Sequence, residues 1–263
     1  DIEGIKVNDW NNGEAIDGGK ADNYPYVTFT ATETQTFKMT TDGSYTISGL
    51  EYSVNEGEWM TVVEDKEVSF GGSNGSLRLR GTNTKGTSTY SNYSTINFTN
   101  PDAKVACTGD IRTLLDWKKY TTVDTQNAKF CNLFENCIAL TFAPKLPAET
   151  LAEGCYAYMF NNCKNLKTAP KLPATTLANY CYLYMFSGCT YLTSVTMLAP
   201  SEQISSNCCY GWLDDNAGTS ATSRTLKVKD EDAYNALVNY LPGIWQKGAE
   251  GTTVLGENSN KIE

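Results

Sequence analysis

The sequence predicts two domains in series, an all-β sandwich over residues 1–102 and a short α+β solenoid over residues 103–263. Three observations predict them. Short alternating polar and apolar runs, divided by Gly, Asn and Ser turns, fill the first part; near-copies recur at an offset of 26 residues in the second; and no cysteine precedes Cys107. A chain of 263 residues accommodates two modest domains.

In the first part, residues 26–30, 36–39 and 77–80 alternate as strands do. Residues 50–53, the turn 55–57 and residues 59–63 read as one hairpin, and residues 67–70, 71–75 and 77–80 as a second. Roughly seven short strands at regular spacing fit a sandwich of immunoglobulin type with Trp59 as its core aromatic, without the inter-sheet disulfide of antibody domains. Residues 1–22, with Asn11-Asn12-Gly13 and Asp17-Gly18-Gly19, read as an irregular arm.

In the second part, residues 143–160 read APKLPAETLAEGCYAYMF and residues 169–186 read APKLPATTLANYCYLYMF; between 140–163 and 166–189, 16 of 24 positions are identical. The offset generates the series Phe134, Phe160, Phe186; Cys137, Cys163, Cys189; Leu140, Leu166, Leu192; and Leu146, Leu172, Leu198. In the last unit Cys208, Trp212 and Leu213 match Cys181, Met185 and Phe186 only after a one-residue insertion. Apolar residues at fixed phases cannot be buried within one unit, so units must stack, and neighbouring strands about 4.8 Å apart align like residues in columns. A stack has two open ends that need caps. Residues 111–120 behind Asp110, and residues 231–241 between Asp230 and Pro242-Gly243, read as capping helices.

The phases Leu-x-x-Ala/Val, Leu-Pro, Leu-Ala and Met-Phe-x-x-Cys-x-x-Leu resemble BspA-like leucine-rich repeats of about 26 residues, over roughly residues 107–213. The LPATTLA and CYxxMF wording is similar to proteins of gut Bacteroidetes that place a β-sandwich before the repeats. The resemblance implies a cell-surface or secreted location, frequently through a lipid anchor that here would lie outside the residues given, and a role in adhesion or ligand binding. It carries no catalytic residue across.

Charge and composition narrow the function classes. Thirty acidic against 21 basic residues give a net charge of −9, which repels phosphate backbones, so a nucleic-acid partner is not expected. The absence of histidine removes the usual general base and the commonest metal ligand. No apolar run approaches the roughly 20 residues of a membrane span, and the chain opens Asp-Ile-Glu-Gly without a basic-then-apolar leader, so a soluble chain is expected. Asp214-Asp215 and Asp230-Glu231-Asp232 are sequence neighbours that seldom converge across a sugar ring, and the second group suits a helix start. No catalytic, cofactor-binding or metal-ligating residue is therefore expected.

Nine cysteines remain, an odd number with no C-x-x-C pair. Cys137, Cys163 and Cys189, like Cys155 and Cys181, share repeat phases and read as small apolar side chains filling buried columns. Tyrosine, with 16 copies, supplies the candidate binding surface: Tyr156 with Tyr182, Tyr158 with Tyr184, and Tyr180 and Tyr191 nearby. Rows of phenol rings could meet a host or matrix protein or a glycan, or could simply pack between units. The function expected is adhesion without enzymatic activity; the alternative is a structural cell-envelope spacer with no soluble ligand.

Overall fold

In a computed structural model of the chain, which describes residues 10–11, 14–15 and 24–262, the alternating runs become strands whose inward residues are the apolar ones. A small antiparallel ribbon joins β1 (Trp10–Asn11) to β2 (Glu14–Ala15), and the rest of the arm expected over residues 1–22 lies outside the described residues. There follow β3 (Val27–Ala31), β4 (Gln35–Asp42), β5 (Leu50–Val54), β6 (Met60–Thr61), β7 (Val68–Phe70), β8 (Leu77–Gly81), β9 (Tyr93–Phe98), β10 (Val105–Thr108) and β11 (Leu140–Phe142). In β4, Gln35, Phe37 and Met39 point inward while Thr36 and Lys38 do not, the period of two that a pleated strand imposes.

These strands form a six-stranded sheet in the order β11-β10-β3-β8-β5-β6 and a three-stranded sheet in the order β7-β4-β9. The two sheets meet at Phe29 of β3, whose ring lies 6.0 Å from Phe37 of β4 and 5.4 Å from Phe98 of β9. A third sheet, parallel throughout, joins β12 (Ser194–Met197), β13 (Arg224–Val228) and β14 (Thr252–Leu255).

The expected fold class is corrected on three counts. Firstly, the parts expected over residues 1–102 and 103–263 share one sheet and one core. Strand β10 pairs antiparallel with β3 on one side and parallel with β11 on the other. The N–H groups of Thr87 and Ile96 donate to the carbonyls of Lys129 and Leu133, and a single hydrophobic core runs from Val27 to Ile262. Secondly, the sandwich does not have immunoglobulin strand order. There the first strand shares a sheet with the second and the last joins the opposite sheet; here β3 lies with β5 and β8, and β9 pairs with β4. The hairpin β5–β6 forms, but β7 and β8 belong to different sheets. Trp59 is half-buried against Arg80, and fully buried Phe29, Phe37 and Phe70 make the centre.

Thirdly, the α+β solenoid of leucine-rich repeats with helical caps is replaced by a mostly-sheet structure with two short α-helices, α1 (Ser206–Cys209) and α2 (Glu231–Leu237). Left-handed backbone at Asn132, Asn136, Tyr158 and Asn162, with φ of 59°, 60°, 57° and 59°, breaks each repeat into consecutive turns instead of helix. Pro144, Pro147, Pro170 and Pro173 withhold the amide donors that a continuous parallel wall needs, which leaves isolated bridges such as Thr150 with Thr176 and Leu172 with Met197. Of the two expected caps, residues 111–120 form only a 3-10 turn, Ile111–Leu114, behind Asp110. Helix α2 begins where Asp230 accepts the Ala233 N–H at 2.9 Å, and it ends in a 3-10 turn, Val238–Tyr240.

The internal similarity appears instead as backbone register. Phe130, Phe134 and Phe160 donate their N–H groups to the carbonyls of Cys155, Met159 and Met185. Phe134, Phe160 and Phe186 form one buried file, their rings 5.4 and 5.8 Å apart and within 3° of parallel. All nine cysteines are buried thiols. The thiols of Cys137, Cys163 and Cys189 donate to the carbonyls of Ile96, Phe134 and Phe160, at 2.8, 3.0 and 3.1 Å. In the last unit the insertion moves the register by one residue, and Tyr182, Tyr184 and Phe186 donate to Cys208, Tyr210 and Trp212. Beyond it, buried Arg224 donates to four backbone carbonyls, those of Gly218, Ala221, Ile244 and Glu250, and to the Thr252 hydroxyl.

Phe134 also lies 6.3 Å from Phe29, so it joins the first half to the file. Phe134→Ala should cost about 3–5 kcal/mol, and tryptophan fluorescence and circular dichroism should move to lower denaturant together in one transition. Two separated transitions, with only one of them shifted, would contradict the single core.

Candidate functional site

The turns demand left-handed backbone at fixed places, and what stands there varies. Tyr158, Tyr180 and Tyr184 carry φ of 57°, 61° and 49°. The matching positions of neighbouring units hold Asn132, Gly154 and Gly211, residues that accept this conformation readily. A tyrosine there costs on the order of 1 kcal/mol, so the fold by itself favours Asn or Gly at all three places. Strain held at a few residues is a marker of function when those residues come together.

They do come together. Tyr158 and Tyr184 stack at 5.2 Å, Tyr184 meets Tyr210 edge-on at 5.5 Å, and Tyr180 packs at 5.6 Å against Tyr90. Tyr90 arrives from the loop between β8 and β9, so both halves of the chain build the patch. Two glycines make room for it. A Cβ on Gly154 would strike the Tyr90 ring, and one on Gly211 would strike Tyr184. Tyr90 and Tyr210 are 42% and 57% exposed, Tyr180 is also exposed, and Tyr158 and Tyr184 are half-buried.

The surroundings of Tyr90, Tyr158 and Tyr184 disfavour loss of the phenol proton. Partial burial, then Tyr180, Tyr158 and Glu153 among its neighbours, raises Tyr90 above the ordinary tyrosine range. Burial and then Glu135 do the same for Tyr158. For Tyr184 the hydrogen bond with Tyr210 is the first cause. Glu153 therefore borders the patch beside Tyr90, and Glu135 borders it beside Tyr158.

Of the six tyrosines marked in the sequence, the structure brings Tyr158, Tyr180 and Tyr184 into the patch. Tyr156 and Tyr182 lie in the core at 3% and 1% exposure, stacked at 6.3 Å, and burial pushes both hydroxyls well up. Tyr191 is 46% exposed in another turn, where its N–H donates to the Lys164 carbonyl. Tyr90 and Tyr210 were missed. The substitution of glycine for tyrosine at the 154/180 and 184/211 positions is the signal that marks their neighbourhood.

Other chemistry-bearing groups are occupied. The Asp214 carboxylate accepts the N–H groups of Gly188, Asn216 and Ala217 and the Ser187 hydroxyl, and Asp230 caps α2. The Arg80 guanidinium lies 3.9 Å from both Trp59 and Trp117 and pairs with Glu51, while Arg78 lies over Tyr26 and pairs with Glu56. This ladder neutralises its own charges and joins β8 to the segment after the first 3-10 turn. Burial holds the thiols of Cys131, Cys137, Cys155, Cys163 and Cys189 above the ordinary range and pushes Cys181 up to about 12. Cys208 is instead drawn down, to about 6, first by the hydrogen bond from Cys209.

Comparison of the chain with known protein families, with curated proteins and with solved structures yields no match.

Thiol titration of the freshly reduced native protein should find Cys208 reacting well ahead of the others, and all nine cysteines reacting once the protein is unfolded. Rapid reaction of most thiols in the native state would contradict the buried, carbonyl-bonded columns.

Proposed function

We propose that the chain is a non-enzymatic binding protein that docks a partner protein on the tyrosine patch. The observation that carries this reading is the left-handed backbone of Tyr158, Tyr180 and Tyr184, three strained residues gathered with Tyr90 and Tyr210 in one partly exposed cluster. Ring geometry favours a protein over a glycan. Sugars stack on open ring faces, whereas Tyr158 and Tyr184 spend a face on each other, and Tyr90 packs against Gly154 and Tyr180. Edges and hydroxyls remain, the combination that protein interfaces use because a ring loses little freedom on binding. Glu135 and Glu153 at the border complement lysine or arginine side chains on the partner.

An extracellular or cell-surface location goes with this reading. The resemblance to BspA-like surface proteins supports it, and burial would protect the column thiols Cys137, Cys155, Cys163, Cys181 and Cys189 from oxidants there. Among the described residues no helix is long and apolar enough to cross a membrane.

The paired substitution Tyr158→Asn with Tyr184→Asn separates binding from folding, because asparagine suits the left-handed turn. Relief of strain and loss of ring stacking should nearly cancel, leaving stability within about 1 kcal/mol of the parent. Binding to the matrix proteins that the parent recognises in a solid-phase panel should fall by about tenfold or more. Undiminished binding by the folded variant, or a parent that binds oligosaccharides and no protein, would overturn the proposal.

A further inference from the structure

The insertion that shifts the register in the last unit also places two cysteines side by side in α1. Their Sγ atoms are 3.1 Å apart. The Cys208 sulfur accepts the Ser205 N–H at 3.3 Å and lies 3.8 Å from the Ser205 hydroxyl; as a thiol it reaches the Ser205 carbonyl at 3.2 Å. Unlike Cys137, Cys163 and Cys189, whose thiols donate to the carbonyls of Ile96, Phe134 and Phe160, these two sulfurs contact each other. Ser205, Ser206 and Asn207 before them and Tyr210 after them are exposed, so Cys208 lies one residue beneath the surface. A helix of four residues has almost no stability of its own, and its opening uncovers the pair. Among the described residues no three potential metal ligands gather anywhere, so a pairwise thiol reaction is the chemistry left to these sulfurs.

We propose that Cys208 and Cys209 are a dithiol modification site, with Cys208 attacking a low-molecular-weight disulfide such as oxidised glutathione and Cys209 resolving the adduct. The Cys208 thiolate forms a sulfur–sulfur bond with one half of the reagent, whose own disulfide breaks and releases the other half as a thiolate. The Cys209 sulfur then attacks Cys208 and expels the second half. The protein is oxidised by two electrons to a vicinal disulfide, the reagent is reduced to two thiols, and the two protein protons leave with them. The depressed Cys208 thiol supplies the attacking thiolate at neutral pH. Adjacent Cα atoms lie about 3.8 Å apart, closer than the roughly 4.4–6.8 Å usual across a disulfide, so the product is strained and reverts readily with a reducing thiol.

The test treats the native, fully reduced chain with oxidised glutathione near neutral pH, followed by acid quench, intact mass and peptide mapping. The expected product has lost two hydrogens, both at Cys208–Cys209, and dithiothreitol restores it. Cys209→Ser should stop at one glutathione adduct on Cys208, formed on the order of tenfold faster than adducts on any other cysteine. Phenylarsine oxide, which bridges paired thiols, should bind the unmodified native chain one to one, so the pair is also tested without a substitution. A native chain that takes up neither reagent overturns the site, as does a wild-type adduct that Cys209 fails to resolve.

Discussion

The constraint on which the structure depends is the reach of one turn's backbone N–H groups to carbonyls of the turn that follows. Once Phe130, Phe134 and Phe160 donate to Cys155, Met159 and Met185, residues one repeat apart must point the same way. A large apolar residue in one turn then needs a large one in the next, and the parallel rings of Phe134, Phe160 and Phe186 are the result. Such a ladder leaves open edges that would attract other chains. At the first edge, β9 and β10 of the sandwich complete it: Ile96 donates to Leu133 and Val105 to Ala139. The first half is thus the cap of the second, which is why one core and one sheet cross residues 102 and 103. At the far edge the parallel β12-β13-β14 sheet and α2 close the stack around buried Arg224.

The cysteine columns follow from the same ladder. The carbonyls of Phe134 and Phe160 accept the Cys137 and Cys163 N–H groups within their own turns, and each oxygen has a second lone pair that faces the next turn. A thiol is small, largely apolar and able to donate weakly, so Cys137, Cys163 and Cys189 both fill space and supply a donor to the carbonyls of Ile96, Phe134 and Phe160. Alanine could meet only the first requirement. Cys208 and Cys209 escape this arrangement because the inserted residue breaks the column there.

How much of this was legible in the sequence depends on what a repeat can encode. Identity at a constant offset declares which residues are equivalent, so the phenylalanine file and the cysteine columns could be read directly. Equivalence does not declare direction. Tyr156 and Tyr158 repeat equally well as Tyr182 and Tyr184, yet one pair is core and the other surface, a difference set by left-handed turns that hydrophobic periodicity does not mark. A strand wall was expected from apolar spacing, and Pro144, Pro147, Pro170 and Pro173 withheld the amides it needs; of the two expected caps, α2 formed and residues 111–120 made only 3-10 turns. The sandwich strands were found from alternation, but their order was not, because β3 and β9 exchange sheets to meet the second half. Tyr90 itself lies outside the repeats, so only the glycine at 154 that makes room for its ring pointed to it. Nothing in the sequence marked Arg224, which its backbone carbonyl partners keep inside.

Stability and recognition pull in opposite directions at the patch. The ladder wants glycine or asparagine at the left-handed positions, and the chain places tyrosine at three of them. That arrangement holds only while the turns beneath are rigid, so the central claim concerns the ladder that crosses the two halves. Native-state hydrogen exchange of the Ile96 and Val105 amides against those of Phe134 and Phe160 tests it most directly. The account predicts that all four exchange only through global unfolding, with one common free energy and one common denaturant dependence. Early exchange of Ile96 and Val105, while Phe134 and Phe160 stay protected, would show that the sandwich does not complete the stack and would contradict the account.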